Sequence, residues 1–262
     1  MNHPTAVIIG GHPRSGTTLL NTLCNTHPDI VMSFEYRSFV ALDMTLPIYL
    51  KRLGDPSKKK PFLQKSNGNK SADREAGIHF HEHMTTQLKN AAPEIVRLQD
   101  VIGIYQSAFP EARVIGDKYP RYVFHLDKLA AYSDLRRIII YRDPRDVARS
   151  ALEKAATDWK GKPFGKSLDT AWKVATHWVK SMDMMERYAP RVHTLRYESL
   201  IRDPRTAMST LGRYLGVDPD GFTTSKIHDS SIGKHRDELT REQIHAIEEI
   251  AGPTMRRWGY TA

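Results

Sequence analysis

The sequence predicts an α/β fold, with a parallel sheet of about five strands covered by helices on both faces. Three observations carry this. Five short apolar runs read as buried strands. Helical patterns separate several of them. The first run leads directly into a glycine-rich turn that opens a helix.

In chain order, Thr5–Ile9 is the first expected strand. A helix then begins near Ser15 and carries Leu19, Leu20 and Leu23. Asp29–Ser33 is the second strand. Leu53–Ser71 (LGDPSKKKPFLQKSNGNKS) is the most loop-like stretch and reads as a flap. Helices are expected over Ser71–Asn90 and Pro93–Ala108, and a third strand over Arg113–Gly116. Arg136–Tyr141 (RRIIIY) is the fourth. Asp143-Pro144 then supplies an N-cap and a proline at the first helical position. Lys160–Gly165 reads as a loop. Leu168, Ala171, Trp172, Ala175, Trp178, Val179 and Met182 form an apolar stripe, which places both tryptophans in the core. Arg191–Arg196 is the fifth strand. Asp203-Pro204 repeats the cap signal before Ala207, Met208, Leu211 and Leu215.

Composition narrows the class. A formal charge of +9 over 262 residues favours anionic partners such as phosphorylated or sulfated metabolites. Lys58-Lys59-Lys60 is the only dense basic run, and no zinc-finger or RNA-binding signature accompanies it, so nucleic acid is not the expected partner. The longest apolar runs, such as Ile138–Tyr141, fall far short of the ~20 residues a membrane span needs. MNHPTAVIIGG lacks the pattern of a signal peptide, and a cytoplasmic protein is expected. The sequon Asn69-Lys70-Ser71 then carries no meaning. The single Cys24 excludes an intrachain disulfide and a cysteine-built zinc site.

Read from Gly11, the glycine turn is G-H-P-R-S-G-T-T. This is the spacing of a phosphate-binding P-loop, G-x-x-x-x-G-K-[ST], with Thr17 in place of lysine. Backbone N–H groups in such a turn point at one concavity, and the helix N-terminus adds roughly half a positive charge. Ser15, Thr17 and Thr18 add hydroxyls, and Arg14 adds charge from the loop. With the lysine missing, the site suits a terminal group less charged than a γ-phosphate, and a phosphosulfate meets that description. The simpler alternative is a tight turn made by Gly10, Gly11 and Gly16.

Pro13-Arg14-Ser15-Gly16-Thr17-Thr18, followed by His27-Pro28, resembles the 5′-phosphosulfate loop of sulfotransferases that use 3′-phosphoadenosine-5′-phosphosulfate (PAPS). The form is similar to the branch holding tyrosylprotein sulfotransferases and bacterial relatives. The resemblance implies a three-layer, P-loop-kinase-like fold, here one domain over residues 1–262. PAPS is then the co-substrate and its 3′,5′-diphosphate, PAP, the product, with no metal required. It also implies that Arg142, ending the fourth strand, and Ser150, eight residues on, hold the 3′-phosphate. Tyr197 would lie near the adenine. Ser231, Lys234 and Arg236, in Ser230–Arg236, would close over the nucleotide. Arg145 and Arg149 read as solvated helix arginines. Asp143 could alternatively be a magnesium-binding carboxylate, although a capping role explains it without metal.

Sulfuryl transfer needs a base, positive charge on the sulfuryl oxygens and leaving phosphate, and an in-line geometry. Glu35, in Ser33-Phe34-Glu35-Tyr36-Arg37, stands where the resembling branch keeps its glutamate base, 21 residues after Arg14, with Arg37 beside the acceptor. An ordinary surface pair between Glu35 and Arg37 is the alternative. Lys118, in Gly116-Asp117-Lys118-Tyr119-Pro120, corresponds to the family lysine that acts with Arg14 on the transferring group. His79, His81 and His83 could share the base role; their spacing could set His79 and His83 on one helix face and so suggest a metal, but with no carboxylate or cysteine partner beyond Glu82 a solvated helix is the expected reading. The expected acceptor carries a hydroxyl, less readily an amine, and residues 39–99 and 153–166 would shape its pocket. A nucleotide-dependent kinase and a non-catalytic anion-binding module are the rival readings.

Overall fold

The computed structural model describes residues 3–54, 70–225, 227 and 231–261. The Lys58–Lys60 run, Asn69, Ser230 and most of the expected flap lie outside these residues. Strands β1 (Thr5–Gly10), β2 (Ile30–Phe34), β3 (Val114–Lys118), β4 (Leu135–Tyr141) and β5 (His193–Arg196) form one sheet in the order β2-β3-β1-β4-β5. Every pairing is parallel. All five expected strands are present, within two residues at each end.

The central strand explains the architecture. Ala6 and Ile8 join one apolar cluster, while Val7 and Ile9 join another on the opposite face. All four are at most 1% exposed, and each larger side chain contributes about 1.5–3 kcal/mol by leaving water. A strand buried on both faces needs helices above and below it.

Between β1 and β2 runs α1 (Thr17–Thr26). Then come α2 (Leu46–Leu53), α3 (Lys70–Ala91) and α4 (Leu98–Ala108), covering one face through Tyr36, Phe39, Tyr49, Phe80, Met84 and Tyr105. A short α5 (Leu126–Leu129) precedes β4. After β4 follow α6 (Pro144–Ala156), the single turn α7 (Pro163–Lys166) and α8 (Ala171–Arg187). After β5 come α9 (Tyr197–Arg202), α10 (Pro204–Leu215), α11 (His235–Glu238) and α12 (Arg241–Arg257). Helices α6, α8 and α12 share a cluster around Trp178, Met182 and Met255.

Some expectations shift. The first helix starts at Thr17, because Gly16 at φ 100° breaks helical geometry. Helix α4 starts at Leu98 rather than Pro93, because the preceding residues pair with an earlier loop: Asp43 N–H donates to the Val96 carbonyl at 2.8 Å and Val96 N–H to that of Met44 at 3.0 Å. Trp178 is core, but Trp172 is 60% exposed, one step around α8 from its buried neighbour Ala171. The turn α7 overlaps the end of the loop expected over Lys160–Gly165 and runs on to Lys166. Helices α2, α5, α9, α11 and α12 are additions to the sequence reading.

Candidate active site

Parallel strands deliver their carboxyl ends to one edge. Register sets Ile9 and Phe34 beside Lys118, and Gly10 beside Ile139. The loop after β1, Glu35 after β2, Lys118 ending β3, Arg142 after β4 and Tyr197 after β5 therefore share the edge where open α/β sheets bind ligands.

The loop after β1 is built tightly. Ser15 N–H donates to the His12 carbonyl at 3.0 Å, and Gly11 N–H to that of Pro120 at 2.9 Å. A Cβ on Gly16 would stand 2.4 Å from Cδ2 of Tyr197, so only glycine fits this approach at positive φ. Gly16 offers α1 no side-chain cap, and the first turn of α1 holds no acidic residue, so its positive end faces the cleft. Thr17 is buried and Thr18 exposed at that end. Ser15 is fully buried, and its hydroxyl has no partner among the described residues.

Arg14 adopts φ 75°, Glu35 φ 55° and Arg37 φ 69°, left-handed conformations uncommon for residues with a Cβ. Three of the expected site residues thus sit on backbone that the surroundings must hold in place. For Glu35 and Arg37 the holder is Asp117. Its fully buried carboxylate accepts bonds from Ser33 Oγ (2.6 Å), Tyr36 N–H (3.0 Å), Arg37 N–H (2.8 Å) and Tyr122 Oη (2.7 Å). Burial pushes the Asp117 pKa up, against the opposing pull of these donors. In the sequence Asp117 is only a neighbour of Lys118; a buried acid ending a strand is the signal that could have marked it.

Lys118 is not a solvated lysine. Its side chain is 0% exposed, and Nζ donates to Glu35 Oε1 at 2.9 Å and lies 3.3 Å from the Phe34 ring centroid. The Glu35 side chain stays 40% exposed, so the carboxylate is held from behind while open to the cleft. The surface pair between Glu35 and Arg37 does not form: Glu35 faces Lys118, and the Arg37 guanidinium lies 5.1 Å from the Tyr119 ring centroid. His81 Nδ1 meets Tyr36 Oη at 3.0 Å and His83 Nε2 meets Ser107 Oγ at 2.7 Å, so these two histidines are engaged with core and neighbouring-helix groups, while His79 is exposed as a solvated face requires.

A second group surrounds Arg142. Arg14 Nε donates to Ser150 Oγ at 2.9 Å. Arg142 donates to the Arg14 carbonyl at 3.4 Å and to that of Ser231, and lies 4.5 Å from the Tyr197 ring centroid. Its Nε is buried without a partner among the described residues. Partial burial, then the charges of Arg142 and Arg149, push the Arg14 pKa down, against the pull of Glu153 and Asp158. The expected site residues Arg14, Arg142, Ser150, Tyr197 and Ser231 are thus brought together. Lys234 precedes α11, and Arg236, within it, is exposed.

Asp143 caps α6 by accepting from Arg145 N–H at 2.8 Å, and both its oxygens take bonds from the Arg145 side chain. Arg145 and Arg149 are therefore not solvated. Arg145 is also bonded to Glu248 (3.1 Å), and Arg149 pairs with Glu238 and Glu153, tying α6 to α12 and α11. Among the described residues no helix is long and apolar enough to cross a membrane.

Residues 4–221 match the model of the sulfotransferase family. Protein-tyrosine sulfotransferase 1 of Danio rerio is 24% identical over 261 residues, covering 96% of this chain and 65% of that protein. The chain thus spans less than two thirds of that relative's length. The sulfotransferase domain of the Synechococcus PCC 7002 olefin synthase superposes with a TM-score of 0.59 at 20% identity, over 95% of this chain and 94% of that one. Mouse sulfotransferase SULT7A1 complexed with PAP gives a TM-score of 0.50 at 13% identity, over 98% and 86% of the two chains. At these identities the structures share the fold.

Proposed function

The chain belongs to the sulfotransferase family, and from that premise we propose that it moves a sulfuryl group from PAPS to an acceptor hydroxyl. The observation that carries this reading is that Ser15 Oγ, next to Arg14 in the loop, and Nε of Arg142, which grips the Arg14 carbonyl, are both buried without a partner among the described residues. Buried donors without acceptors cost stability, and an anion with phosphate groups at both places would satisfy them. Ser15, Gly16, Thr17 and Thr18 with the α1 N-terminus would hold the 5′-phosphosulfate. Arg142 and Ser150 would hold the 3′-phosphate, with Tyr197 beside the nucleotide and Ser231, Lys234 and Arg236 closing over it.

In the reaction the acceptor oxygen forms a bond to sulfur while the bond from sulfur to the phosphate oxygen breaks. Glu35 takes the hydroxyl proton. Lys118 and Arg14 stabilise the charge on the sulfuryl oxygens and on the departing phosphate. PAP leaves with the electron pair. Arg37, on the Tyr119 ring, binds the acceptor, and residues 39–99 and 153–166 of a single domain shape its pocket.

Calorimetry without magnesium tests this directly. PAP is expected to bind far more tightly than AMP or ATP. Preference for ATP with a need for magnesium would overturn the reading in favour of a nucleotide-dependent kinase.

A further inference from the structure

Helix α6 carries a buried acid to which the reaction above gives no task. Asp146 is 1% exposed. Its Oδ2 accepts from Gly233 N–H at 2.8 Å and stands 3.7 Å from Arg142 Nη2. Its Oδ1 accepts from His235 N–H at 3.1 Å and lies 2.8 Å from His235 Nδ1. An ionised carboxylate only accepts, so Nδ1 of His235 carries the proton. Burial works to raise the Asp146 pKa, but the bonds from His235 and Gly233, with the charge of Arg142, outweigh it and hold it below the usual range. One carboxylate therefore joins the arginine after β4 to the 231–235 segment, whose Ser231 carbonyl Arg142 also grips. Ser150 lies one turn further along the same face of α6.

We propose that Asp146 and His235 are positioning residues: they clamp the 231–236 segment against Arg142 and so set the pocket for the 3′-phosphate of the nucleotide. The proposal rests on the donor reading above. Without the clamp, Arg142 loses a buried counter-charge, and the segment bearing Lys234 and Arg236 loses three bonds to α6. A role confined to holding the fold together would lower stability and leave the preference for a 3′-phosphate unchanged.

The test compares wild type with His235→Leu, His235→Asn and Asp146→Asn. Dissociation constants for PAP and AMP are measured by calorimetry, and amide hydrogen exchange over residues 231–236 is measured without nucleotide. His235→Asn keeps a donor near the place of Nδ1. His235→Leu and Asp146→Asn are expected to speed exchange at Gly233 and to weaken PAP binding about 10- to 100-fold, the worth of one charge-assisted hydrogen bond. AMP binding should stay within about twofold, and His235→Asn should recover most of the PAP affinity. If Asp146→Asn fails to fold, His235→Leu against His235→Asn decides alone. Unchanged exchange in His235→Leu overturns the clamp. Faster exchange with an unchanged PAP-to-AMP ratio overturns its role in the pocket. A wild-type chain that binds both nucleotides alike overturns the donor reading itself, which the nucleotide-free exchange reports separately.

Discussion

Acidification should strike this protein through the loop after β1. His12 is 2% exposed; its Nδ1 contacts the Pro13 carbonyl at 2.6 Å, and its ring meets that of His177 edge-on at 5.0 Å between centroids. Burial, then the neighbouring His177, lowers the His12 pKa from 6.5 to about 3. Between those values the unfolded chain takes up a proton that the folded chain refuses, so stability falls as pH falls. Integrated from pH 7 to 5, His12 alone removes about 2 kcal/mol of stability. His177, lowered to about 4 mainly by burial, acts in the same direction. The assay is urea unfolding at both pH values for wild type and His12→Asn. Asparagine keeps a donor for the Pro13 carbonyl but does not titrate. The mutant pays a packing cost at either pH, so the quantity that matters is the change between pH 7 and 5. Wild type should lose about 2 kcal/mol more than His12→Asn over that interval. Equal losses in both proteins would refute the claim that a neutral, buried His12 sets the acid sensitivity of the loop.

Three further outcomes follow from the same contacts. Glu35→Gln keeps the shape of the side chain but cannot take a proton; single-turnover sulfuryl transfer should slow by about 10²–10⁴-fold with PAP affinity within about twofold, and an unchanged rate would remove Glu35 as the base. Gly16→Ala sets a methyl 2.4 Å from the Tyr197 ring at φ 100°, so calorimetry should find PAP binding weakened at least ~10-fold in whatever folded protein is recovered. Asp117→Asn replaces one acceptor oxygen by an amide N–H, set against the donors of either Ser33 and Tyr36 or Arg37 and Tyr122, and should cost about 1–3 kcal/mol in urea unfolding while lowering the transfer rate.

Much of the site was legible because local rules write it. The 5–10 strand, its glycine turn and the helix beyond are neighbours in sequence, so the loop between them could be read residue by residue. Asp143 and Asp203 both cap helices as their Asp-Pro context predicts, accepting from Arg145 and Thr206 N–H. Where long-range pairing decides, the reading went astray. Arg145 and Arg149 read as solvated because the partners that tie them to other helices, Glu248 and Glu238, lie about 90 to 100 residues away along the chain, beyond the local Asp143 and Glu153. Glu35 could be matched with Arg37 in sequence, but left-handed backbone at both residues separates them and turns Glu35 to Lys118.

The amino-acid sequence alone specified which strands exist, that the inner ones run buried on both faces, and that a glycine turn with threonine at the lysine position of a P-loop opens the first helix. Periodicity, turn chemistry and spacing are properties of short segments, and these features need no more. Only the tertiary structure decided which charges meet. The order β2-β3-β1-β4-β5 lays Phe34 beside Lys118 and sets Arg142 against the loop holding Arg14. It also buries Asp117 beneath one group and Asp146 beneath the other. An acid in an unfolded chain is one solvated charge among many; removed from water, it must gather donors, and the residues that supply them are chosen by the packing of the sheet.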